Sequence, residues 1–231
     1  MENQEVAFLG RMTAGMTHEI KNVLAIVKEA SGLMQDLLCL GQGKSMPDIE
    51  KFKRVVSTIQ RQVERGDDLL ILLNRLAHSM DSRDAVTGMN DLVLNSANLM
   101  QRFARLRQVG LDAHPADPDF MMQTDPFQAL MVCTSCIEYC LKRLPPESRI
   151  VFEARGAAGE VRFDLVMEST AEPETAGEGS TADHALSSEL TDLEPFIRRL
   201  EARLDFQESG GILSGLSITF PLKRGRPEIG S

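Results

Sequence analysis

Residues 2–40 contain no proline and repeat apolar residues at helical spacing, which is typical of one long amphipathic helix. At about 100° per residue, one line along this helix carries Leu9, Met16, Ile20, Leu24, Val27, Met34 and Leu38. After a turn at 41–48, a second apolar stripe carries Phe52, Val55, Val56, Ile59, Val63, Leu69, Leu70, Leu73 and Leu76. Two long amphipathic helices joined by a short turn predict an antiparallel hairpin.

A single hairpin covers only half of its apolar seam. The remaining half needs a second layer, and a second copy of the chain supplies one by symmetry. We therefore expect residues 1–85 to form a homodimer, in which two hairpins close into a four-helix bundle.

The pattern changes after residue 85. Helical periodicity at 91–107, 126–144 and 193–204 alternates with extended segments at 149–154 and 161–167 and a last strand pair up to residue 222. Residues 169–188 are acidic, have almost no large apolar side chains and are typical of a loop. The fold class is therefore α+β: the hairpin precedes an α/β sandwich over 86–224, with a frayed tail at 225–231.

Composition excludes several functions for these 231 residues. The formal net charge of −9 argues against binding to nucleic acid or to an anionic membrane surface. No apolar run approaches the roughly 20 residues of a membrane span, and the N-terminus lacks the pattern of a signal peptide. We expect a cytoplasmic location and no membrane partner.

Cys133, Cys136 and Cys140 have a spacing that superficially suggests a metal site. Their spacing also places all three on one face of an apolar helix, and free cysteine is among the most buried residue types. No pair of the four histidines has metal-ligand spacing with a carboxylate or thiol. The sequence predicts buried cysteines, and neither a metal nor a cofactor bound by this chain.

His18 is distinguished by its position on the first helix, about 160° from Ile20 and so opposite the apolar line. A neutral imidazole carries a lone pair on one ring nitrogen, so an exposed histidine offers a nucleophile. Small or polar residues on the same side predict a flat surface for a protein partner: Arg11, Ala14, Gly15, Lys21, Asn22 and Ala25.

The stretch FLGRMTAGMTHEIKNVLAIV (8–27) resembles the H-box of two-component histidine kinases through His18, Glu19, Asn22 and Leu24. Val23 departs from the helix-kinking proline of many members. The resemblance implies that His18 accepts a phosphoryl group. It also implies that Glu19 orients the imidazole and that Asn22 positions the phosphoryl group or a water.

Residues 91–222 more faintly resemble the ATP-binding domain of these kinases, with TDPFQALMVCTSCIEYC in place of its N-box helix. The expected magnesium-binding asparagine falls at Ser135, and the acidic or amide residue four positions earlier falls at Met131. The adenine box falls at 168–170 without its glycines. Phosphate binding needs glycines for close backbone approach and a metal ligand, so we expect no ATP binding.

A phosphoacceptor hairpin joined to a degenerate ATPase-like domain resembles the dimeric histidine phosphotransferases of phosphorelays. The resemblance implies exchange of a phosphoryl group between His18 and the aspartate of response-regulator receiver domains, with Mg²⁺ held by the receiver. Two alternatives stay open. One is a divergent kinase that autophosphorylates from ATP, and the other is a non-catalytic dimeric signalling scaffold.

Overall fold

The computed structural model describes residues 2–40, 49–157, 159–169, 188–210 and 212–222. The chain divides into two compact units, Val6–Ala77 and Met1–Glu5 with His78–Ser231. The predicted turn at 41–48, the tail at 225–231 and nearly all of the predicted acidic loop lie outside the described residues. None of the helices described is long and apolar enough to span a bilayer.

The first unit is built from two helices, α1 (Glu2–Leu40) and α2 (Ile49–His78). The side chain of Arg65 on α2 hydrogen-bonds the Glu19 carboxylate on α1. A Cβ at Gly66 would lie 3.3 Å from Val23 Cγ1, so the two backbones approach closely there. Both contacts lie near the middle of each helix, so the two helices approach each other there.

The buried face of α1 differs from the predicted line. Its buried apolar residues are Phe8, Met12, Met16 and Val23, whereas Leu24 is 62% exposed. Within one chain, the predicted apolar line is therefore only partly buried. α1 carries apolar residues on two adjoining faces, and α2 covers only one of them.

The second unit contains seven strands and four helices among its described residues. In chain order they are β1 (Ala85–Gly88), α3 (Met89–Leu106), β2 (Gly110–His114), β3 (Met121–Thr124), α4 (Pro126–Arg143), β4 (Arg149–Ala157), β5 (Glu160–Glu168), α5 (Ser188–Thr191), α6 (Glu194–Arg199), β6 (Arg203–Ser209) and β7 (Ile212–Pro221). β1 pairs with β3, and the main sheet has the order β2-β4-β5-β7-β6. Its β2–β4 pair is parallel and its other pairs are antiparallel, which makes the sheet mixed.

Helices α3 and α4 pack against each other, and the core holds Phe152, Phe163 and Phe220. The predicted start of α4 is confirmed: Asp125 is its N-cap, and a side-chain oxygen accepts a hydrogen bond from Gln128 N–H at 3.0 Å. The three cysteines of this helix are buried, as predicted.

The predicted helix at 193–204 is wrong in its second half. α6 ends at Arg199, Glu201 adopts a φ of 55°, and Arg203 already pairs with Thr219 in the sheet. The left-handed residue stops the helix, and sheet pairing outweighs the helical preference of the residues that follow. The sequence also did not predict the short strand β1.

Candidate functional site

His18 lies exposed on α1, within an uninterrupted helix. The side chain of Asn22, one turn later, places Nδ2 3.3 Å from His18 Nδ1. Residues four apart on a helix share a face, so this contact follows directly from the sequence spacing. The imidazole is therefore presented to solvent with one of its two nitrogens contacted by a neighbouring amide.

Glu19 points away from that face. Its side chain is only 11% exposed, and its carboxylate forms an ion pair with the Arg65 guanidinium of α2. The sequence implied that Glu19 orients the imidazole, but the structure gives its carboxylate a partner between the two helices. Consecutive helical residues are about 100° apart, which is why His18 faces solvent while Glu19 faces α2.

Of the five residues predicted to form the partner surface beside His18, four are exposed and one is not. Arg11, Ala14, Lys21 and Ala25 are exposed. Gly15 is buried, so it does not form part of the exposed surface beside His18. The reason is rotational: the buried face of α1 is turned toward Gly15 relative to the predicted apolar line.

An open depression of about 690 Å³ adjoins His18 on α1. Its lining is mostly apolar or small: Val6, Leu9, Gly10, Thr13, Ala14, Thr17, His18 and Lys21. The depression is open at Gly10, because a Cβ at this position would meet nothing within 4 Å. Ala14 and Lys21 belong to the surface predicted from the sequence, whereas Leu9 was predicted on the apolar line opposite His18. We call these eight residues the α1 surface.

Helix α4 carries the positions at which the ATP-binding resemblance fails. Met131 is buried, and the backbone carbonyl of Met131 accepts a hydrogen bond from the Thr134 hydroxyl at 3.0 Å. Ser135 is half-buried. In the described part of the chain, no cluster of three or more histidine, cysteine, aspartate or glutamate side chains is arranged to hold a metal ion.

A second cavity, of about 250 Å³, lies at the start of α4 and is lined by Arg83, Asp84, Gln123, Thr124, Asp125, Arg199 and Leu200. Burial raises the pKa of Asp125, although the Gln128 backbone N–H opposes this by donating a hydrogen bond. Since that carboxylate caps α4, the perturbed Asp125 has a structural explanation.

Neither a protein-family model nor a curated protein matches the sequence. Solved structures do match. Acinetobacter baumannii histidine kinase AdeS has a TM-score of 0.50 and 13% identity, covering 85% of this chain and 97% of its own. A histidine kinase from Burkholderia phymatum STM815 has a TM-score of 0.50 and 12% identity, covering 87% and 98%.

A third match is histidine kinase ThkA, solved in complex with the response regulator protein TrrA. Its TM-score is 0.47 at 14% identity, and the match covers 96% of this chain and 64% of that one. For AdeS and the Burkholderia kinase, identities this low relate folds rather than activities. An N-terminal helical region followed by a mixed-sheet domain gives this chain the α+β fold of histidine kinases.

Proposed function

We propose that this protein is a dimeric histidine phosphotransferase that exchanges a phosphoryl group between His18 and the aspartate of response-regulator receiver domains. The observation that carries the proposal is the exposed His18 imidazole beside the open α1 surface. A nucleophile presented on a rigid helix, next to small and apolar side chains, is accessible to a phosphorylated site on another protein.

In the transfer step, this chain needs only to hold the His18 imidazole in a position that the receiver can reach. An imidazole nitrogen attacks the phosphorus of the aspartyl phosphate. The bond between phosphorus and the aspartate oxygen breaks, and its electron pair returns to the receiver carboxylate. Mg²⁺ bound to the receiver stabilises the charge on the phosphoryl oxygens. The residues of α1 hold the imidazole in place and admit the receiver.

We further propose that the protein does not bind ATP. The buried thioether of Met131 replaces a polar side chain, and the Ser135 hydroxyl replaces a carboxamide that ligates magnesium in the kinases. These side chains do not fit a magnesium–nucleotide complex. Glu168 and Ser169 likewise stand where the adenine box has its conserved residues.

A divergent histidine kinase is the second candidate, and the folds of AdeS and the Burkholderia enzyme favour it. The two candidates differ in the phosphoryl donor. A kinase labels His18 from ATP and magnesium alone, whereas a phosphotransferase requires a phosphorylated receiver. The scaffold alternative predicts labelling from neither donor.

The homodimer is proposed from the apolar stripe that α2 leaves exposed. Val63 is 57% exposed and Leu70 is 49% exposed, and Ile49 extends the same stripe. On α1, Leu24 is exposed as well. A second hairpin covers these side chains in a four-helix bundle, since exposed apolar stripes of this kind mark association surfaces.

The test uses receiver domains charged with labelled acetyl phosphate and freed of excess reagent. We expect label to move onto the wild-type protein and not onto His18→Gln, while ATP and magnesium alone label neither. Ala14→Phe is expected to slow transfer by obstructing the α1 surface, and Gln35→Phe, at an exposed position of the same helix well beyond that surface, serves as the matched control. Labelling of His18→Gln would refute His18 as the acceptor, and labelling of wild type by ATP alone would favour the kinase.

A further inference from the structure

The contact between Asn22 and His18 determines which imidazole nitrogen is available. Asn22 Nδ2 lies 3.3 Å from His18 Nδ1. In the ring, Nε2 is separated from Nδ1 by one carbon and lies away from this contact. The nitrogen that faces an incoming phosphoryl group is therefore Nε2.

A neutral imidazole carries its proton on one nitrogen and a lone pair on the other, and only the lone pair attacks phosphorus. If the amide nitrogen of Asn22 donates to Nδ1, the proton is on Nε2 and the accessible nitrogen is not nucleophilic. If the amide is turned by 180°, Oδ1 accepts from Nδ1–H and Nε2 keeps its lone pair. The two amide orientations occupy the same space.

We propose that Asn22 is the positioning residue for His18. Its Oδ1 accepts the Nδ1–H hydrogen bond and holds the imidazole in the tautomer whose Nε2 is nucleophilic. This assigns to Asn22 the orienting role that the sequence suggested for Glu19, whose carboxylate pairs with Arg65. The inference rests on the proposed phosphoryl chemistry of His18, but its first test needs no receiver.

The same contact serves the transfer step. As Nε2 bonds to phosphorus and the acyl phosphorus–oxygen bond breaks, the proton stays on Nδ1 and the ring becomes positively charged. The electron pair of the broken bond goes to the receiver carboxylate, so no general base is required. The carbonyl oxygen of Asn22 carries partial negative charge and stabilises the ring more strongly as its positive charge develops.

The first test is nitrogen NMR of the full-length protein labelled with ¹⁵N-histidine, at a pH where the imidazole is uncharged. The protein has four histidines, and His18→Gln identifies the resonances of His18. We expect the Nδ1–H tautomer to predominate in wild type. In Asn22→Ala, the tautomer ratio should shift toward Nε2–H by about two- to tenfold, the usual range for one exposed hydrogen bond.

Two variants separate this role from a merely structural one. Asn22→Asp keeps an oxygen acceptor and should retain the Nδ1–H tautomer. Glu19→Gln removes the charge of the neighbouring residue and should leave the tautomer ratio unchanged. A wild-type protein with mainly Nε2–H, or a ratio that Asn22→Ala does not change, overturns the inference, as does a shift in Glu19→Gln that equals or exceeds the one in Asn22→Ala.

The second test measures single-turnover transfer from receivers charged with acetyl phosphate. Asn22→Ala should slow the transfer step about two- to tenfold without changing the receiver concentration for half-maximal rate, and Asn22→Asp should restore the rate. An unchanged rate in Asn22→Ala contradicts the inference. If wild type accepts no label, the proposed function fails, while the tautomer measurement still decides the assignment of Asn22.

Discussion

The two units of this protein differ in how completely each covers its own apolar residues. In the α/β unit, phenylalanines from β4, β5 and β7 are buried beneath α3 and α4, and α6 contributes Phe196 to the core. In the hairpin, whole apolar side chains such as Leu24 and Val63 lie on the surface. The α/β unit therefore has a core of its own, whereas the hairpin leaves the apolar stripes exposed from which the dimer is proposed.

The same contrast holds for the reactive side chains. The hairpin presents His18 and Cys39 to solvent, whereas the α/β unit encloses Cys133, Cys136 and Cys140. The following measurements test this contrast between the units, beginning with the largest expected effect.

Thiol labelling should separate the units most strongly. Burial raises the pKa of Cys133 from 9.0 to about 12 and that of Cys140 to about 12. At neutral pH a pKa three units higher leaves about a thousandfold less thiolate, and burial also blocks the reagent. Mass spectrometry of the native protein treated with iodoacetamide should show modification of Cys39 long before the others. Denatured protein, as the control, should be modified at all four positions; equal rates in the native protein would contradict the burial of the cysteine helix.

Removing a core side chain from the α/β unit should give the next largest effect, a loss in the free energy of unfolding. Phe163 is fully buried between Phe152 and Phe220, so Phe163→Ala should lower the free energy of unfolding by about 3–5 kcal/mol. Leu106→Ala, at an exposed position in the same unit, should change it by less than about 0.5 kcal/mol. Urea denaturation followed by circular dichroism provides both values. Similar losses in the two variants would mean that the unit does not have the core described.

Introducing charge into the exposed stripe of α2 should weaken the proposed dimer. Val63→Glu buries a carboxylate in the bundle interface, and we expect the dimer dissociation constant to rise at least about tenfold. Val86→Glu, at a similarly exposed residue of the α/β unit, should leave it unchanged. Sedimentation velocity over a range of protein concentrations measures both. If the wild-type protein is a monomer at micromolar concentration, the proposed dimer is wrong.

The smallest effect is expected within the hairpin, between two ion pairs of different burial. Glu19→Gln removes the charge that faces Arg65, and we expect a loss of about 1–2 kcal/mol in the free energy of unfolding. Glu50→Gln disrupts the exposed pair with Lys53 and should cost about 0–0.5 kcal/mol. Chemical denaturation of both variants at one protein concentration gives the comparison. Should the two losses be equal, Glu19 does not contribute to hairpin packing as its burial indicates.

Features that depend on spacing along one element were predictable from the sequence. The periodicity of 2–40 predicted α1, the pair Asp125–Pro126 predicted the start of α4, and the cysteine spacing predicted one buried face. The exposure of His18 and its proximity to Asn22 followed from the same arithmetic. Such features are local, because a helix sets the relative directions of its side chains without reference to the rest of the chain.

Features that depend on which face meets a neighbour were decided by the tertiary structure. Both faces of α1 are apolar enough to be buried, yet in the structure Leu24 is exposed and Gly15 is buried. The partner of Glu19 lies on the other helix at Arg65, and the end of α6 depends on the pairing of Arg203 with a distant strand. Sequence spacing determined which side chains share a face of each helix or strand. Packing between elements distant in sequence decided which of those faces became core and which became surface. The reason is that the free energy of burial depends on the neighbouring surface.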